Sequence, residues 1–248
     1  MSGDSQAGRG ARRIVFVRHG QTDFNVERRF QGIIDRPLNE RGRRQAREAG
    51  AVLASRVLSP SAQVGVNVAP QARSRIQIVC SPLSRAHETA QILHACFLDA
   101  GADVDGLSVD ERLIERDYGV FEGFTTIQIE QTHAAELAQW RDTGECAEAG
   151  IERSDAVGAR MRDACEDAAR SAGKESTLVV VSHGSAIIRG ILTLLGLNPL
   201  SFDGLRGLDN CHWSEVVRMG GGGSGASGRA SWRLTSHNIG HREDILGA

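Results

Sequence analysis

Arg18-His19-Gly20 stands directly after the apolar run Ile14-Val15-Phe16-Val17. A neutral imidazole is a nucleophile near pH 7, and a guanidinium grips phosphate with a planar fork of donors. Side by side they predict a histidine that takes up a phosphoryl group from an anionic substrate. Arg85 and His183 repeat these residue types at two further points of the chain. A poor alkoxide leaving group also needs an acid. Asp110, Glu111, Glu115, Asp117 and Glu122 crowd one stretch that could supply it.

The elements that must position these groups follow from apolar pattern and turn chemistry. An apolar β-branched run reads as a buried strand, and a glycine after it lets the chain turn off its end. Strands are predicted over 13–17, 76–80, 107–109, 177–182, 212–218 and 231–235, with 177–182 the most apolar. Helices are predicted over about 39–56, 81–99, 125–141, 154–171 and 185–196. Asn39 is the expected cap of the first, and Ser81-Pro82 the expected N-cap and first helical residue of the second. The alternation predicts an α/β fold: a three-layer α/β/α sandwich with a mostly parallel central sheet. In such a sheet the carboxyl ends of the strands share one edge, where ligands bind. Arg18 and His19 follow the first strand, Arg85 the second, and His183 the strand at 177–182, so the topology brings them to one edge. Helix starts at Ser81 and Gly184 would add backbone donors suited to phosphate. Each residue alone has a plainer reading, as a core histidine or a surface ion pair; their joint placement sets them apart.

The 248 residues, 40% hydrophobic and 24% charged, can bury a substantial core. A net charge of −2 argues against a nucleic-acid partner. The first fifty residues nevertheless hold eleven arginines against six acidic residues, a bias that suits a phosphorylated substrate. Cys80, Cys96, Cys146, Cys165 and Cys211 are odd in number, scattered and without a Cys-x-x-Cys pair, so they are expected to be reduced in a cytoplasmic protein. No secretory apolar segment is seen near the N-terminus. The longest apolar stretch, Ala186 to Leu197, is too short to span a membrane and contains Arg189. Neither metal nor cofactor is expected: His and Cys lack ligand spacing. Gly223-Ser-Gly-Ala-Ser-Gly228 spells a dinucleotide pattern without the strand and helix that it requires, and His87-Glu88 lacks the second histidine of a zinc helix. Residues 1–12 read as a disordered tail and 13–248 as one domain. Within it, 57–74 reads as a loop insertion, about 120–150 as a small helical cap, and 220–228 as a hairpin loop.

Taken together these segments resemble the histidine phosphatase superfamily, also called the phosphoglycerate mutase-like family. Arg18-His19-Gly20-Gln21-Thr22-Asp23-Phe24-Asn25 is similar to its N-terminal signature, and Arg29-Phe30-Gln31-Gly32 and Pro37-Leu38-Asn39 continue it. Ser81 to Ala90 resembles the second block, Leu113 to Gly119 through Glu122-Gly123 the acid loop, and Val181-Ser182-His183-Gly184 the last block. The resemblance implies that His19 becomes a phosphohistidine, that Arg18, Arg85 and His183 hold the phosphate, and that Glu115 protonates the leaving oxygen; its position before Tyr118-Gly119 makes it the first choice for the acid, with Glu111 the second. It implies substrate contacts at Asn25, Gln31, Gly32, Tyr118, Gly184 and Ser185. Cofactor-dependent mutases of the family carry a lysine after the acid loop and an arginine pair after a tryptophan; here those places hold Thr126 and Trp140-Arg141-Asp142. The expected function is therefore hydrolysis of a small phosphomonoester, a sugar phosphate or phosphoglycerate-like compound. A phosphoglycerate mutase and a non-catalytic phospholigand-binding or partner-binding member are the alternatives, and a homodimer is left open.

Overall fold

Alternating strand and helix signals resolve into one six-stranded sheet in a computed structural model that describes residues 10–58, 75–173, 176–219 and 232–240. In chain order the strands are β1 (Arg13–Arg18), β2 (Arg75–Cys80), β3 (Asp103–Val109), β4 (Thr177–Ser182), β5 (Trp213–Arg218) and β6 (Trp232–Ile239). The helices are α1 (Asp23–Val26), α2 (Glu40–Leu58), α3 (Ser84–Asp99), α4 (Thr126–Thr132), α5 (Ala134–Thr143), α6 (Ser154–Ser171) and α7 (Gly184–Leu194). The strand order is β3-β2-β4-β1-β5-β6. Pairings β3·β2, β2·β4 and β4·β1 are parallel, and only β5 runs against the rest.

The two central strands show why the sheet has two covered faces. Ile14, Phe16, Leu178 and Val180 point into a core built with α6 and α7. Val15, Val17, Val179 and Val181 point the other way, into a core built with α2 and α3. Burial on both faces makes these strands continuously apolar rather than alternating. Each buried aliphatic side chain is worth about 1.5–3 kcal/mol, so this alternation holds the register firmly. β1 leads into α2 on one face, while its neighbour β4 leads into α7 on the other. Their carboxyl ends thus flank the topological switch point of the sheet, the crevice that open α/β folds use for ligands. A third, smaller core of Phe121, Ile129, Leu137, Cys146, Ala149 and Ile151, with Phe30, Tyr118 and Trp140 packed on it, builds the cap around α4 and α5.

Several expected boundaries move. The helix predicted from Ser81 begins at Ser84. Ser81 Oγ instead accepts from Leu83 N and meets the His183 ring, while Asp35, from a distant loop, accepts from Ser84 N and Oγ. The helix predicted over 125–141 breaks at His133 and runs on to Thr143, where Gly144 ends it at φ +73°. β3 and β6 are longer than predicted because as sheet edges they carry polar residues such as Asp103, Asp105, Ser236 and Asn238. Of the predicted tail, Ala11 is fully buried and donates to Ala169 O at 2.7 Å, so 10–12 belong to the fold; residues 1–9 lie outside the described residues. Val57 and Leu58 complete α2, whereas 59–74 and the 220–228 segment lie outside the described residues. Among the described residues no helix is long and apolar enough to cross a membrane.

The segment after β1 meets α2 without space for a side chain. A Cβ on Gly42 would come 2.2 Å from Gln21 O, and one on Gly20 would come 2.5 Å from Gly42 O. Gly42→Ala should therefore destabilise the protein by about 1–2 kcal/mol, overpacking outweighing the ~1 kcal/mol that alanine gains in helix propensity. Urea unfolding measures this, and an unchanged or raised midpoint would refute the close contact.

Candidate active site

Just past β1, the His19 N–H still donates to Ser182 O on β4 at 3.0 Å, so the parallel ladder fixes the backbone of His19 at the sheet edge. His19 Nδ1 lies 2.7 Å from Gly20 O. A carbonyl only accepts, so Nδ1 carries the hydrogen and Nε2 keeps its lone pair. Burial holds the imidazole pKa well below its ordinary value, and the charges of Arg85 and Arg18 push the same way. The ring is a neutral base with one defined nucleophilic nitrogen.

His183, following β4, places its ring centroid 5.1 Å from that of His19 with the planes 60° apart. Arg85 Nε donates to His183 Nδ1 at 3.2 Å, which assigns the other hydrogen to Nε2, 2.8 Å from Ser81 Oγ. Burial, then Arg85, pushes the His183 pKa well below the usual value. Arg85 is fully buried and is held by Gly32 O at 2.7 Å and Ile34 O at 2.9 Å. Burial lowers its pKa to about 10, which leaves it charged at neutral pH. Arg18 donates through Nη1 to Leu208 O at 2.6 Å. Arg18 Nε and Gln31 Nε2 are buried donors with no partner within the protein. Such a donor costs about 1–3 kcal/mol unless an acceptor reaches it. The other end of the Gln31 amide accepts from Thr22 Oγ1 at 2.9 Å, so the NH2 end is oriented.

Glu115 arrives on the loop after β3. Arg160 pins that loop by donating to the carbonyls of Arg112, Ile114 and Glu115 at 2.7–3.0 Å. The buried Glu115 carboxylate accepts from Ser185 N at 3.1 Å, Ala186 N at 2.8 Å and its neighbour Arg116 N at 2.8 Å. Glu111, the second choice for the acid, is exposed in a single 3-10 turn. The helix starts expected to offer donors to phosphate are partly taken. Asp35 occupies the start of α3 and Glu115 the start of α7, each satisfying backbone groups that a helix leaves unpaired.

The expected contact residues gather around the same edge. Gly184 opens α7, and a Cβ there would lie 3.5 Å from Arg18 Nε. Gly32 sits at φ +48° with the Glu122 carboxylate 1.7 Å from where a Cβ would be, so only glycine fits. Tyr118 hydrogen-bonds Ser185, and burial pushes its phenol up to about 12. Asn25 Oδ1 is taken by Thr22 N and Asn210 Nδ2, both at 3.1 Å, which gives it a part in holding the loop. The sequence reading passes over Asp35 and Arg160, names Glu122 only as a carboxylate near Glu115, and takes Ser81 for a cap. Glu122 accepts from the N–H groups of Ile33, Ile34 and Tyr118, tying the cap to the Gln31 loop. In the cap, Arg141 is exposed and pairs with Glu130 at 3.4 Å.

The family model described as the histidine phosphatase superfamily (branch 1) matches residues 14–227. The glucosyl-3-phosphoglycerate phosphatase of Mycobacterium tuberculosis is 32% identical, over 92% of this chain and 95% of its own length. A probable phosphoglycerate mutase of Yersinia enterocolitica is 35% identical, over 82% of this chain and 83% of its own. A mycobacterial glucosyl-3-phosphoglycerate phosphatase solved with VO3 has a TM-score of 0.70 at 33% identity, covering 92% of this chain and 99% of that one. With its signature histidines side by side at the switch point of a six-stranded sheet, the chain belongs to the histidine phosphatase superfamily.

Proposed function

We propose that the protein hydrolyses a small phosphomonoester, a sugar phosphate or phosphoglycerate-like compound, through a phosphohistidine at His19. One observation carries this reading: His19 Nε2 is held as a free lone pair beside Arg85 and Arg18, with Arg18 Nε and Gln31 Nε2 buried and unpartnered. Phosphoryl transfer depends mainly on placing the reactants and neutralising charge on the three non-bridging oxygens. Arg18, Arg85 and Gln31 would do the second, as a set of donors around the nucleophile, with His183 accepting from Arg85 and so orienting it. In the first step Nε2 bonds to phosphorus while the ester oxygen leaves and takes a proton from Glu115. In the second, water attacks phosphorus, Glu115 takes a proton from it, and the Nε2–P bond breaks to restore neutral His19. The three backbone N–H groups around Glu115 hold its carboxyl in position for both transfers.

The branch of relatives named as glucosyl-3-phosphoglycerate phosphatases supports a substrate of that class. A mutase must hold its intermediate while it turns round. Here the one arginine after Trp140 points outward to Glu130, which favours release to water.

His19→Ala should lower kcat/KM by at least about 10³-fold and abolish labelling of the protein by a radioactive phosphomonoester. Labelling that survives the substitution would refute His19 as the nucleophile. Glu115→Gln should slow alkyl phosphates by about 10²–10⁴-fold and p-nitrophenyl phosphate far less, because a phenolate departs without a proton. Equal slowing of both would count against Glu115 as the acid.

The two depressed imidazoles also set a pH dependence of stability. On unfolding each returns to a pKa near 6.5, so below that pH the unfolded chain binds more protons than the native one. Stability is then lost as pH falls through about 6.5 toward the lower native values, by about 1.4 kcal/mol per pH unit for each histidine. His19→Asn should unfold in urea with a shallower loss between pH 7 and 5 than the wild type; parallel losses would show that His19 is not kept neutral by the fold.

A further inference from the structure

The Gly20 carbonyl that meets His19 Nδ1 shares a peptide plane with the Gln21 N–H, and in a trans peptide these two bonds point in opposite directions. On one side Gly20 O lies 2.7 Å from His19 Nδ1; on the other the Gln21 N–H donates to Gln45 Oε1 at 3.0 Å. Gln45 stands on α2, 7% exposed, and every other buried residue of that helix is glycine or aliphatic. Gly42, one turn before it, leaves the space in which the Gln21 backbone meets the helix. Helix residues three apart share a face, so one residue makes room for the chain and the next supplies its acceptor. Gln21 O in turn accepts from Asn39 N at 3.0 Å, and the Gly20 N–H donates to Thr89 Oγ1 at 3.1 Å. All four polar backbone groups of Gly20 and Gln21 are thereby held, and the plane between the two residues is strung between the imidazole and the Gln45 amide.

We infer that Gln45 is a positioning residue for the nucleophile: by accepting from Gln21 N–H it fixes the peptide plane whose carbonyl keeps the hydrogen of His19 on Nδ1 and the lone pair on Nε2. This rests on the phosphatase reading above, in which Nε2 attacks phosphorus. Gly20 has no Cβ to restrict rotation of that plane, so the orientation must come from a partner. A buried N–H also demands an acceptor. Without Gln45 the Gln21 N–H would turn toward another one and carry Gly20 O away from the ring. The bond donated by the N–H further polarises the carbonyl and strengthens the bond that it accepts from His19. Which ring nitrogen bears the hydrogen is set by the partner of the other, and a free imidazole favours the hydrogen on Nε2. Released from Gly20 O, the ring would present an N–H to phosphorus in place of a lone pair.

The test reads the ring directly, by nitrogen-15 chemical shifts of protein labelled in histidine, with the His19 signals identified as those missing from His19→Asn. In the wild type at neutral pH, Nδ1 should resonate as a protonated nitrogen and Nε2 as an unprotonated one. Gln45→Met keeps the length of the side chain and removes the acceptor. It should bring the two His19 signals together or exchange them, and lower kcat on p-nitrophenyl phosphate by about 10–100-fold with KM within about threefold. Gln45→Glu restores an acceptor oxygen and should return the ring signals and most of kcat. Should Gln45→Met not fold, Gln45→Asn, whose oxygen falls one methylene short of Gln21 N, is read in the same way. Ring signals in Gln45→Met that match the wild type overturn the proposal whatever happens to kcat, and leave hydrolysis through His19 standing. Ring signals that move in Gln45→Met but not in Gln45→Glu support it even if the wild type releases no phosphate from any ester, a result that would sink hydrolysis alone. An equal disturbance in both variants overturns it too, since packing alone would then explain the change at the ring.

Discussion

Two imidazoles share a water-poor pocket with two guanidinium groups, and the arrangement holds only while both rings stay neutral. A protonated ring there would be a buried cation pressed against other cations, the costliest kind of charge to place in a protein interior. The fold enforces neutrality through hydrogen-bond direction as well as burial. Gly20 O fixes the hydrogen of His19 on Nδ1, and the Arg85 donor fixes that of His183 on Nε2. The guanidinium groups are in turn hydrogen-bonded mostly by backbone carbonyls, at Leu208, Gly32 and Ile34, with the Asp35 carboxylate 4.0 Å from Arg85 Nη1. Carbonyls position a guanidinium without cancelling its charge, so the positive field survives for an incoming anion.

The same economy governs the carboxylates at this edge of the sheet. A carboxylate seated on the first N–H groups of a helix satisfies donors that would otherwise be unpaired and sits at the positive end of the helix dipole. Glu115 takes that seat on α7 and Asp35 takes the matching one on α3. Each helix start that borders the site thus has part of its set of unpaired N–H groups taken by a carboxylate from another loop.

How far this is legible from residue order depends on the range of the interaction. β1 and β4 stand out because burial on both faces makes them continuously apolar, and the short sequence distance from each strand end to His19 or His183 places the site. Arg85 follows because parallel strands share an edge. β3 and β6 are truncated in the sequence reading because an edge strand with one solvated side tolerates Asp105 or Ser236 without penalty. Ser81-Pro82 satisfies every local rule for a helix start, yet the serine hydroxyl serves His183, and a carboxylate forty-nine positions upstream of Ser84 closes the turn instead. The carbonyls that hold Arg18 and Arg85 carry no residue signature at all. Arg189 is visible in the sequence only as an interruption of an apolar helix, and its approach to Gly144 exists only in the folded chain.

The cap and the loop over residues 29–34 are sewn to each other. Glu122 grips Ile33 and Ile34, Arg29 reaches Gly123 O and Gln128, and a backbone bridge joins Arg29 to Thr125. Ile34 and Gly32 also supply the acceptors on which Arg85 rests. The roof and the cradle therefore hang on one loop, so any displacement of the cap would be felt at the supports of Gln31 and Arg85 together.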